Sequence, residues 1–376
     1  MNEYVIVNGR KFRKGYTTGS CAAAASKAAV LMLKSGKLID TISIDTPAGV
    51  RLNLAVEDVY LSEKGVKCAV VKDGGDDPDV TSGLKVFAQV RFIEDEGIKI
   101  LAGEGIGTVT MPGLKVEVGK PAINPVPMKM IIKEVREVLS FQEGVEILLS
   151  VPGGKEIAEK TYNPKLGIMG GISILGTSGI VTPMSEEAWK DSIAVELSVA
   201  VARGYKDIVF TFGNYGESFA KNQLAIDEKR IIKISNFVGY MLDRAVEYGV
   251  ENVLLVGHLG KLVKVAAGIF YTHSRIADAR MEILTSYAAL EGAPKDVLKD
   301  IYECRTTDGA CAIIKDKGLT AVFQRITMNS SKRCRQYTFN KVKVGTVLFN
   351  EDNSLLWIDN SGREIISRIE GRKNNE

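Results

Sequence analysis

The sequence has few of the side chains that most often bind metals or form covalent cross-links. It contains two histidines and five cysteines in 376 residues. The cysteines are odd in number, and no two are spaced as C-x-x-C; Cys304 and Cys311 are the only close pair. Because zinc sites and disulfide frameworks both need clustered cysteine or histidine, we expect neither. Scattered thiols fit a reducing compartment, so the expected location is the cytoplasm.

The sequence also lacks a long apolar run and an excess of charge of one sign. The most apolar early stretch, residues 22–33, is interrupted by Ser26 and Lys27, and polar residues occur within the first three positions. We therefore expect neither a signal peptide nor a membrane span. Lys and Arg number 49 against 46 Asp and Glu, so no basic surface for nucleic acid is predicted. Glycine, in contrast, is abundant, with 37 residues gathered at predicted turns.

The order of predicted elements favours an α/β and α+β protein. Residues 1–144 are predicted to form an α+β domain, with a helix over 21–34 and strands such as 85–93. Residues 145–325 alternate apolar strands with helices, which is typical of a mainly parallel sheet covered on both faces. Residues 326–376 are predicted to form a short β-like extension.

Three predicted strands of the second domain end in unusual loops. The loops contain Asn214, Ser235-Asn236 and His258, and Lys261 and Lys264 follow the last of them. Ligands of open parallel sheets bind beyond the carboxyl ends of the strands, so these loops are candidate sites. A histidine in such a loop can act as a base or hydrogen-bond donor, or can cap the loop. The sequence leaves both roles for His258 open.

Glycine-rich and acidic segments are the other candidates. The segment 167–183 can offer backbone N–H groups to a polar ligand, or it can be a purely structural loop. It matches neither a dinucleotide fingerprint nor a P-loop, and residues 103–109 also fall short of the fingerprint. The turn Asp73–Asp79 carries four carboxylates, but Leu84 stands where an EF-hand requires glutamate.

Taken in order, these motifs resemble the cobalt-precorrin-5B C1-methyltransferase family of anaerobic cobalamin biosynthesis. The resemblance covers roughly residues 10–325 and includes 15–22 (GYTTGSCA), 72–81 (KDGGDDPDVT), 103–107 (GEGIG), 121–127 (PAINPVP), 167–183, 213–216 (GNYG), 235–239 (SNFVG), 257–264 (GHLGKLVK) and 277–280 (ADAR). Ser82 departs from the family pattern, in which many relatives have a histidine after the Asp-Val-Thr run. A catalytic base at position 82 is therefore not expected.

The resemblance implies transfer of a methyl group from S-adenosylmethionine to ring carbon C1 of a cobalt-containing macrocycle. The cobalt belongs to the substrate, so no protein-held metal is expected. The predicted catalytic residues are His258 and Asp76. The predicted cofactor-binding residues are Gly170, Gly171, Gly176, Thr177, Gly179 and Asn214. The macrocycle carries many carboxylates, which favours cationic and hydrogen-bonding side chains as its ligands; the predicted substrate-binding residues are Thr17, Thr18, Ser20, Lys261, Lys264 and Arg280.

Two other functions are compatible with the motifs taken singly. A phosphoryl-transfer enzyme would use residues 103–108 as a phosphate loop and the Asp73–Asp79 turn for Mg²⁺. A non-catalytic tetrapyrrole carrier would bind the macrocycle without consuming S-adenosylmethionine. We expect a small-molecule corrinoid as the main partner, transient contact with neighbouring pathway enzymes, and no nucleic acid or membrane partner. The sequence does not specify an oligomeric state.

Overall fold

The computed structural model describes residues 4–63 and 65–373, so residues 1–3, 64 and 374–376 of the predicted domain ranges lie outside the described residues. The chain divides into two compact units, the first ending at Glu186 and the second beginning at Glu187. The predicted boundary at 144/145 lies earlier. The difference arises because strand β11 (Gly144–Ser150) pairs with two strands of the first unit instead of opening the second sheet.

The first unit is built on a five-stranded mixed sheet with the order β6-β7-β8-β11-β9. Neighbouring strands are antiparallel except for β9 and β11, which are parallel. Eight shorter strands form two-stranded ribbons around this sheet. The strands are β1 Tyr4–Val7, β2 Arg10–Arg13, β3 Gly15–Tyr16, β4 Thr41–Asp45, β5 Arg51–Ala55, β6 Glu57–Ser62, β7 Gly65–Val71, β8 Lys85–Ile93, β9 Gly97–Ala102, β10 Thr108–Val109, β11, β12 Ile168–Met169 and β13 Ile180–Val181.

Helix α1 (Thr18–Ser35) forms the centre of the first core. It is rich in alanine, the best helix former, and it ends at Gly36, whose φ of 66° suits a helix-terminating glycine. Small side chains let α1 pack closely on β7 and β8, and α2 (Pro125–Arg136) packs against α1. Within this core Lys27 donates to the fully buried Glu134 at 2.7 Å. The remaining helix of the unit is α3 (Gly154–Ala158).

The second unit contains the parallel sheet that the sequence predicts. Its order is β15-β14-β16-β17-β18, and only β18 runs antiparallel. Alternate residues of β14 enter different hydrophobic clusters, Phe210 one and Val209 the other, so both faces are covered. The strands are β14 Asp207–Thr211, β15 Ile231–Lys233, β16 Asn252–His258, β17 Lys343–Phe349 and β18 Leu355–Ile358.

Helices make up most of the remaining second unit. They are α4 Glu186–Ala202, α5 Asn214–Asn222, α6 Val238–Glu247, α7 Leu259–Ala266, α8 Arg280–Leu290, α9 Lys295–Tyr302, α10 Thr307–Asp316, α11 Ala321–Tyr337 and α12 Asn360–Lys373, with a 3₁₀ turn at Glu228–Arg230. The predicted fold class is confirmed. The tail after residue 325 is β-like only at β17 and β18, because most of α11 and all of α12 also lie there. Ile365 and Ile369, one helical turn apart, are buried apolar side chains that pack α12 against the core.

Among residues 4–63 and 65–373, no helix combines the length and apolar character that crossing a bilayer requires.

Candidate functional site

The first turn of α1 is hydrogen-bonded to the glycine-rich segment 167–183. The Thr17 hydroxyl caps the helix by accepting from the Ser20 N–H at 3.2 Å. The Ser20 hydroxyl donates to the Gly179 carbonyl at 2.7 Å, and the Thr18 hydroxyl accepts from the Leu175 N–H at 2.9 Å. All three side chains are buried. Thr17, Thr18 and Ser20, predicted to bind substrate, are therefore engaged in holding the glycine-rich segment in place.

At three of the predicted cofactor-binding glycines, close packing leaves no room for a side chain. A β-carbon on Gly176 would lie 2.4 Å from Thr17 Oγ1, and one on Gly171 would lie 2.3 Å from the Gly105 carbonyl oxygen. At Gly179 it would lie 2.8 Å from a threonine side chain. These distances are too short for real β-carbons, so the absence of side chains serves backbone approach at these positions.

Gly170 and Thr177 are the members of the predicted cofactor set in the first unit that are exposed. Gly170 has φ of 84°, and a β-carbon there would meet nothing within 4 Å. It lines a cleft of about 380 Å³, a volume within the range of small-molecule sites. The rest of the lining consists of further glycines, one isoleucine and three charged residues, namely Gly103, Gly105, Gly153, Ile106, Glu104, Lys155 and Glu156. We call this the glycine cleft.

Two of the four carboxylates in the acidic turn Asp73–Asp79 pair with basic side chains. Arg13 donates to both oxygens of Asp73, at 2.6 and 2.8 Å, and Lys72 donates to Asp79 at 2.6 Å. The hydrogen bond from Arg13 is the main cause of the lowered pKa of Asp73. Asp76 is exposed, accepts from the Arg13 N–H at 2.5 Å and donates its own N–H to the Arg13 carbonyl. Asp76, predicted to be catalytic, thus fastens the turn to β2.

The strand order of the second unit creates a switch point between β14 and β16. The chain leaves β14 towards β15 on one side and returns to β16 on the other. In open α/β sheets, ligands bind in the crevice beyond the strand ends at such a point. Gly213 and Asn214 follow β14 here, and His258 ends β16. The structure therefore brings together the three strand-end loops that the sequence singled out.

Asn214 is the first residue of α5, and its side-chain oxygen accepts from the Lys233 ammonium at 3.3 Å. It belongs to the second unit, whereas the predicted cofactor-binding glycines belong to the first. The six residues predicted to bind the cofactor are thus divided between the two units.

Three cations gather behind the β16 loop. Lys261 and Lys264 lie one turn apart on α7, and Arg280 begins α8. Arg280 hydrogen-bonds both oxygens of Asp278, at 2.5 and 2.9 Å, whereas Lys261 donates to the side-chain oxygen of Asn236 at 2.5 Å. Burial lowers the pKa of the Lys261 ammonium, and the charges of Lys264 and Arg280 lower it further. We call Lys261, Lys264 and Arg280 the cation cluster.

Lys264 differs from the other two cations in exposure. Its side chain is 3% exposed, and its ammonium donates to the carbonyls of Ala277 at 2.7 Å and Thr272 at 3.2 Å. Burial is the main cause of its lowered pKa, which the nearby Asp278 partly offsets. Lys264, predicted to contact substrate, holds the segment before α8 and adds charge beneath the surface; its contact with substrate stays a prediction.

His258 caps α7. Its Nδ1 accepts from the Gly260 N–H at 3.3 Å, so the ring proton is on Nε2 in the neutral form. Nε2 lies 3.2 Å from a carboxylate oxygen of Asp308. The neutral ring has one lone pair, on Nδ1, and that lone pair accepts from the Gly260 N–H, so it is not directed at a ligand. The arrangement favours the loop-capping role over the role of a general base.

Sequence reasoning missed Asn236, Thr272 and Asp308 as individual residues of this site. Ser235-Asn236 stands out in the sequence only as a strand-end loop, and in the structure Ser235 has an unusual φ of 51°. Such a backbone conformation in a residue other than glycine often marks a functional site. Asp308 gives no signal in the sequence, because its contact with His258 exists only in the folded chain.

Known proteins are similar to this chain over most of its length. A family described as CbiD matches residues 5–183, and one described as CbiD, C-terminal domain, matches residues 271–360. Cobalt-precorrin-5B C(1)-methyltransferase of Alkaliphilus metalliredigens is 51% identical over 95% of this chain and 94% of its own length. The protein of the same name from Thermoanaerobacter sp. is 54% identical over 92% of this chain and 94% of its own length.

A crystal structure of a cobalamin biosynthesis protein (cbiD) from Archaeoglobus fulgidus is also similar. It is 30% identical, and the match covers 74% of this chain and 88% of that one with a TM-score of 0.39.

The chain belongs to the cobalt-precorrin-5B C(1)-methyltransferase family. The family and the methyltransferase class predicted from the sequence are both confirmed.

Proposed function

We propose that the protein transfers the methyl group of S-adenosylmethionine to C1 of cobalt-precorrin-5B, in the anaerobic synthesis of cobalamin. The relatives' shared name supports the acceptor and the position on the ring. A methyltransferase needs a methyl donor, and S-adenosylmethionine, when bound, supplies an electrophilic methyl group on a positively charged sulfur. The cobalt is part of the substrate.

The observation that carries the proposal is the cation cluster beyond the strand ends of the second unit. Lys261 and Arg280 are partly exposed there, and the buried Lys264 adds a third charge. Acetate and propionate groups of a corrinoid are anions that such a cluster attracts and orients. The location at a switch point is where the fold class places its ligands.

The glycine cleft of the first unit is the proposed place for the methyl donor. Its volume and its backbone lining fit a small polar molecule, and Gly170 leaves room at the surface. Lys155 offers a positive charge to a carboxylate, and Glu104 and Glu156 offer acceptor oxygens to hydroxyl and amino groups. This assignment keeps Gly170 of the predicted cofactor set and gives Gly171, Gly176 and Gly179 a packing role.

Alignment is the main contribution that we assign to the protein in methyl transfer. The reaction forms a carbon–carbon bond while the methyl–sulfur bond breaks, and the electron pair of that bond stays on sulfur. Holding two reactants in line can supply on the order of 7–11 kcal/mol of the barrier. Since His258 and Asp76 are both engaged within their own units, we propose that they position loops and that neither removes a proton.

The glycine cleft can be tested with a larger side chain and a matched control. Gly170→Leu fills the cleft mouth, and Gly119→Leu introduces the same strain at another exposed glycine of the first unit, with φ of 85° and open space around it. We expect Gly170→Leu to weaken binding of S-adenosylhomocysteine about tenfold relative to Gly119→Leu in calorimetry, which corresponds to roughly 1.4 kcal/mol. Equal affinities of the two variants would place the donor elsewhere.

The two alternative functions give different outcomes in the same experiment. A phosphoryl-transfer enzyme would bind ATP in a Mg²⁺-dependent way and would not bind S-adenosylhomocysteine. A carrier would bind the macrocycle and leave S-adenosylmethionine unconsumed.

A further inference from the structure

Lys261 is a half-buried cation whose bonded partner is neutral. Among the described residues, its ammonium donates to the amide oxygen of Asn236, and no carboxylate lies within 4.0 Å of it. Taking a charged group out of water is costly unless an opposite charge or several hydrogen bonds compensate it. Lys264 and Arg280 lie near enough to lower its pKa, and Asp278 already serves Arg280. The cluster is therefore short of negative charge.

The orientation of the Asn236 side chain follows from its neighbours. Its Oδ1 faces the Lys261 ammonium at 2.5 Å and the Thr272 hydroxyl at 3.2 Å. An ammonium group has only donors, so the atom that meets it must be the amide oxygen. The backbone fixes the same contact from the other side, because the Thr272 N–H donates to the Asn236 carbonyl at 3.1 Å. Thr272 itself is fully buried.

Because Oδ1 of Asn236 faces Lys261 and Thr272, the NH₂ group of the same amide points away from those two residues. Neither of its two N–H donors meets an acceptor among the described residues, and the Lys261 ammonium also has donors beyond its bond to Asn236. The two groups are close together, because the Asn236 NH₂ is bonded to the same carbon as the oxygen that accepts from Lys261. Two such donors on one side of a site are the complement of a carboxylate.

We propose that Lys261 and Asn236 form a carboxylate-binding subsite, and that Asn236 determines its specificity because a neutral amide leaves the lysine charge for the ligand. An aspartate at position 236 would have nearly the same shape, but its carboxylate would pair with the Lys261 ammonium and leave less positive charge for the ligand. The inference rests on the proposed function for the identity of the ligand, a carboxylate of the macrocycle; the amino-acid carboxylate of the methyl donor is the other source, which the test below distinguishes. The subsite itself rests on the contacts of Lys261, Asn236 and Thr272.

The direct test is Asn236→Asp, with Asn222→Asp as the control. Asn222 is exposed on α5 and donates only to Ser218 among the described residues, so its replacement adds the same charge away from the subsite. The probes are S-adenosylhomocysteine, methylthioadenosine, which lacks the amino-acid carboxylate, and cobalt-precorrin-5B. We expect Asn236→Asp to weaken one carboxylate-bearing probe about tenfold to a hundredfold, the worth of one charge-assisted hydrogen bond. The control is expected to bind all three as the wild type does.

The three probes distinguish the source of the carboxylate. Weaker binding of S-adenosylhomocysteine with unchanged methylthioadenosine assigns the subsite to the donor. Weaker binding of cobalt-precorrin-5B with unchanged S-adenosylhomocysteine assigns it to the macrocycle. Wild-type affinity for every probe in a folded Asn236→Asp protein overturns the inference.

A second variant covers the case in which Asn236→Asp does not fold. Lys261→Gln removes the charge and keeps a polar side chain, and it is expected to weaken the same probe by a similar factor; wild-type affinity in this variant would also overturn the inference. Failure of the proposed function looks different. The wild type would then transfer no methyl group to cobalt-precorrin-5B, although the Asn236 and Lys261 variants would still lose affinity for a carboxylate.

Discussion

The Thr17 side chain fills the space that a β-carbon on Gly176 would need, with its Oγ1 2.4 Å from that position. The same hydroxyl caps the first turn of α1. Since Gly176 has no side chain, the segment 167–183 can pack directly against that turn. The start of α1 and the segment 167–183, which are far apart in the sequence, thus pack against each other.

Replacing Gly176 should therefore cost more than replacing another glycine of the same segment. Gly170→Ala faces open space and adds only backbone strain, about 1–2 kcal/mol. Gly176→Ala adds the overlap with Thr17, which we expect to cost a further 1–3 kcal/mol or so. Native-state hydrogen exchange of the α1 amides measures both values. Equal protection of α1 in the two variants would show that the contact with Thr17 is not close.

The buried ion pair of the first core gives a second prediction. Lys27→Met removes the ammonium 2.7 Å from the fully buried Glu134 and leaves only the more distant Lys133 at 3.8 Å, which should cost about 3–5 kcal/mol. The double variant Lys27→Met, Glu134→Gln should recover about half of that loss, because the buried charge is gone. Lys34→Met is the control: it removes a more exposed pair with Glu143 from the same helix and should cost about 1 kcal/mol or less. A Lys27→Met protein as stable as the wild type would contradict this prediction.

Replacing His258 with a residue that can cap a helix but cannot accept a proton distinguishes the capping role from the role of a general base. Asparagine is a good N-cap, so His258→Asn should keep the start of α7 and most of the activity. His258→Ala should lose about 1 kcal/mol of stability and slow turnover, because the loop before Lys261 is no longer fixed. The kcat values and unfolding midpoints of both variants provide the measurement. If His258→Asn is as slow as His258→Ala while stable, the ring acts as a base.

The lowered pKa of Lys261 predicts how anion binding depends on pH. Burial, followed by the charges of Lys264 and Arg280, lowers this pKa from the ordinary value of 10.5. A bound carboxylate favours the ammonium form, so affinity should fall as pH rises through the lowered pKa. Over the same window the unfolded chain holds the proton more tightly than the folded chain, so this group makes the fold more stable as pH rises.

Lys261→Arg is the matched variant for this pH dependence. Arginine stays charged throughout the range, so affinity should change much less with pH than in the wild type. Calorimetric titration with the probe that responds to Asn236→Asp gives both profiles. Parallel profiles would mean that another group titrates.

The sequence predicts the second unit well because its signals are local. Apolar strands such as 208–212 and 253–256 alternate with helices, and that order is typical of a mainly parallel sheet. The strand-end positions of Asn214, Asn236 and His258 follow from it. Helix α11 is not predicted, because several of its buried residues are hydroxyls whose partners lie elsewhere in the chain. Ser330 donates to the Leu262 carbonyl at 3.1 Å, a contact that no local pattern encodes.

The site could be predicted as a set of loops but not as a set of contacts. Lys261 and Lys264 are both lysines on α7, one helical turn apart, yet one is half-buried near an amide and the other is buried against carbonyls. That distinction depends on where α8 and Thr272 pack. For the same reason, Thr17 and Ser20 look like exposed ligand hydroxyls in the sequence and are buried in the fold.

The most direct test of the proposed function is methyl transfer itself. Wild-type protein, Asn236→Asp and Asn222→Asp are incubated with S-adenosylmethionine carrying a deuterated methyl group and with cobalt-precorrin-5B, and the corrinoid is followed by mass spectrometry. The account predicts that the wild type and Asn222→Asp add one labelled methyl group at C1, and that Asn236→Asp does so with a kcat/KM at least about tenfold lower. A corrinoid without label in the wild-type reaction, with S-adenosylmethionine left unconsumed, would contradict it.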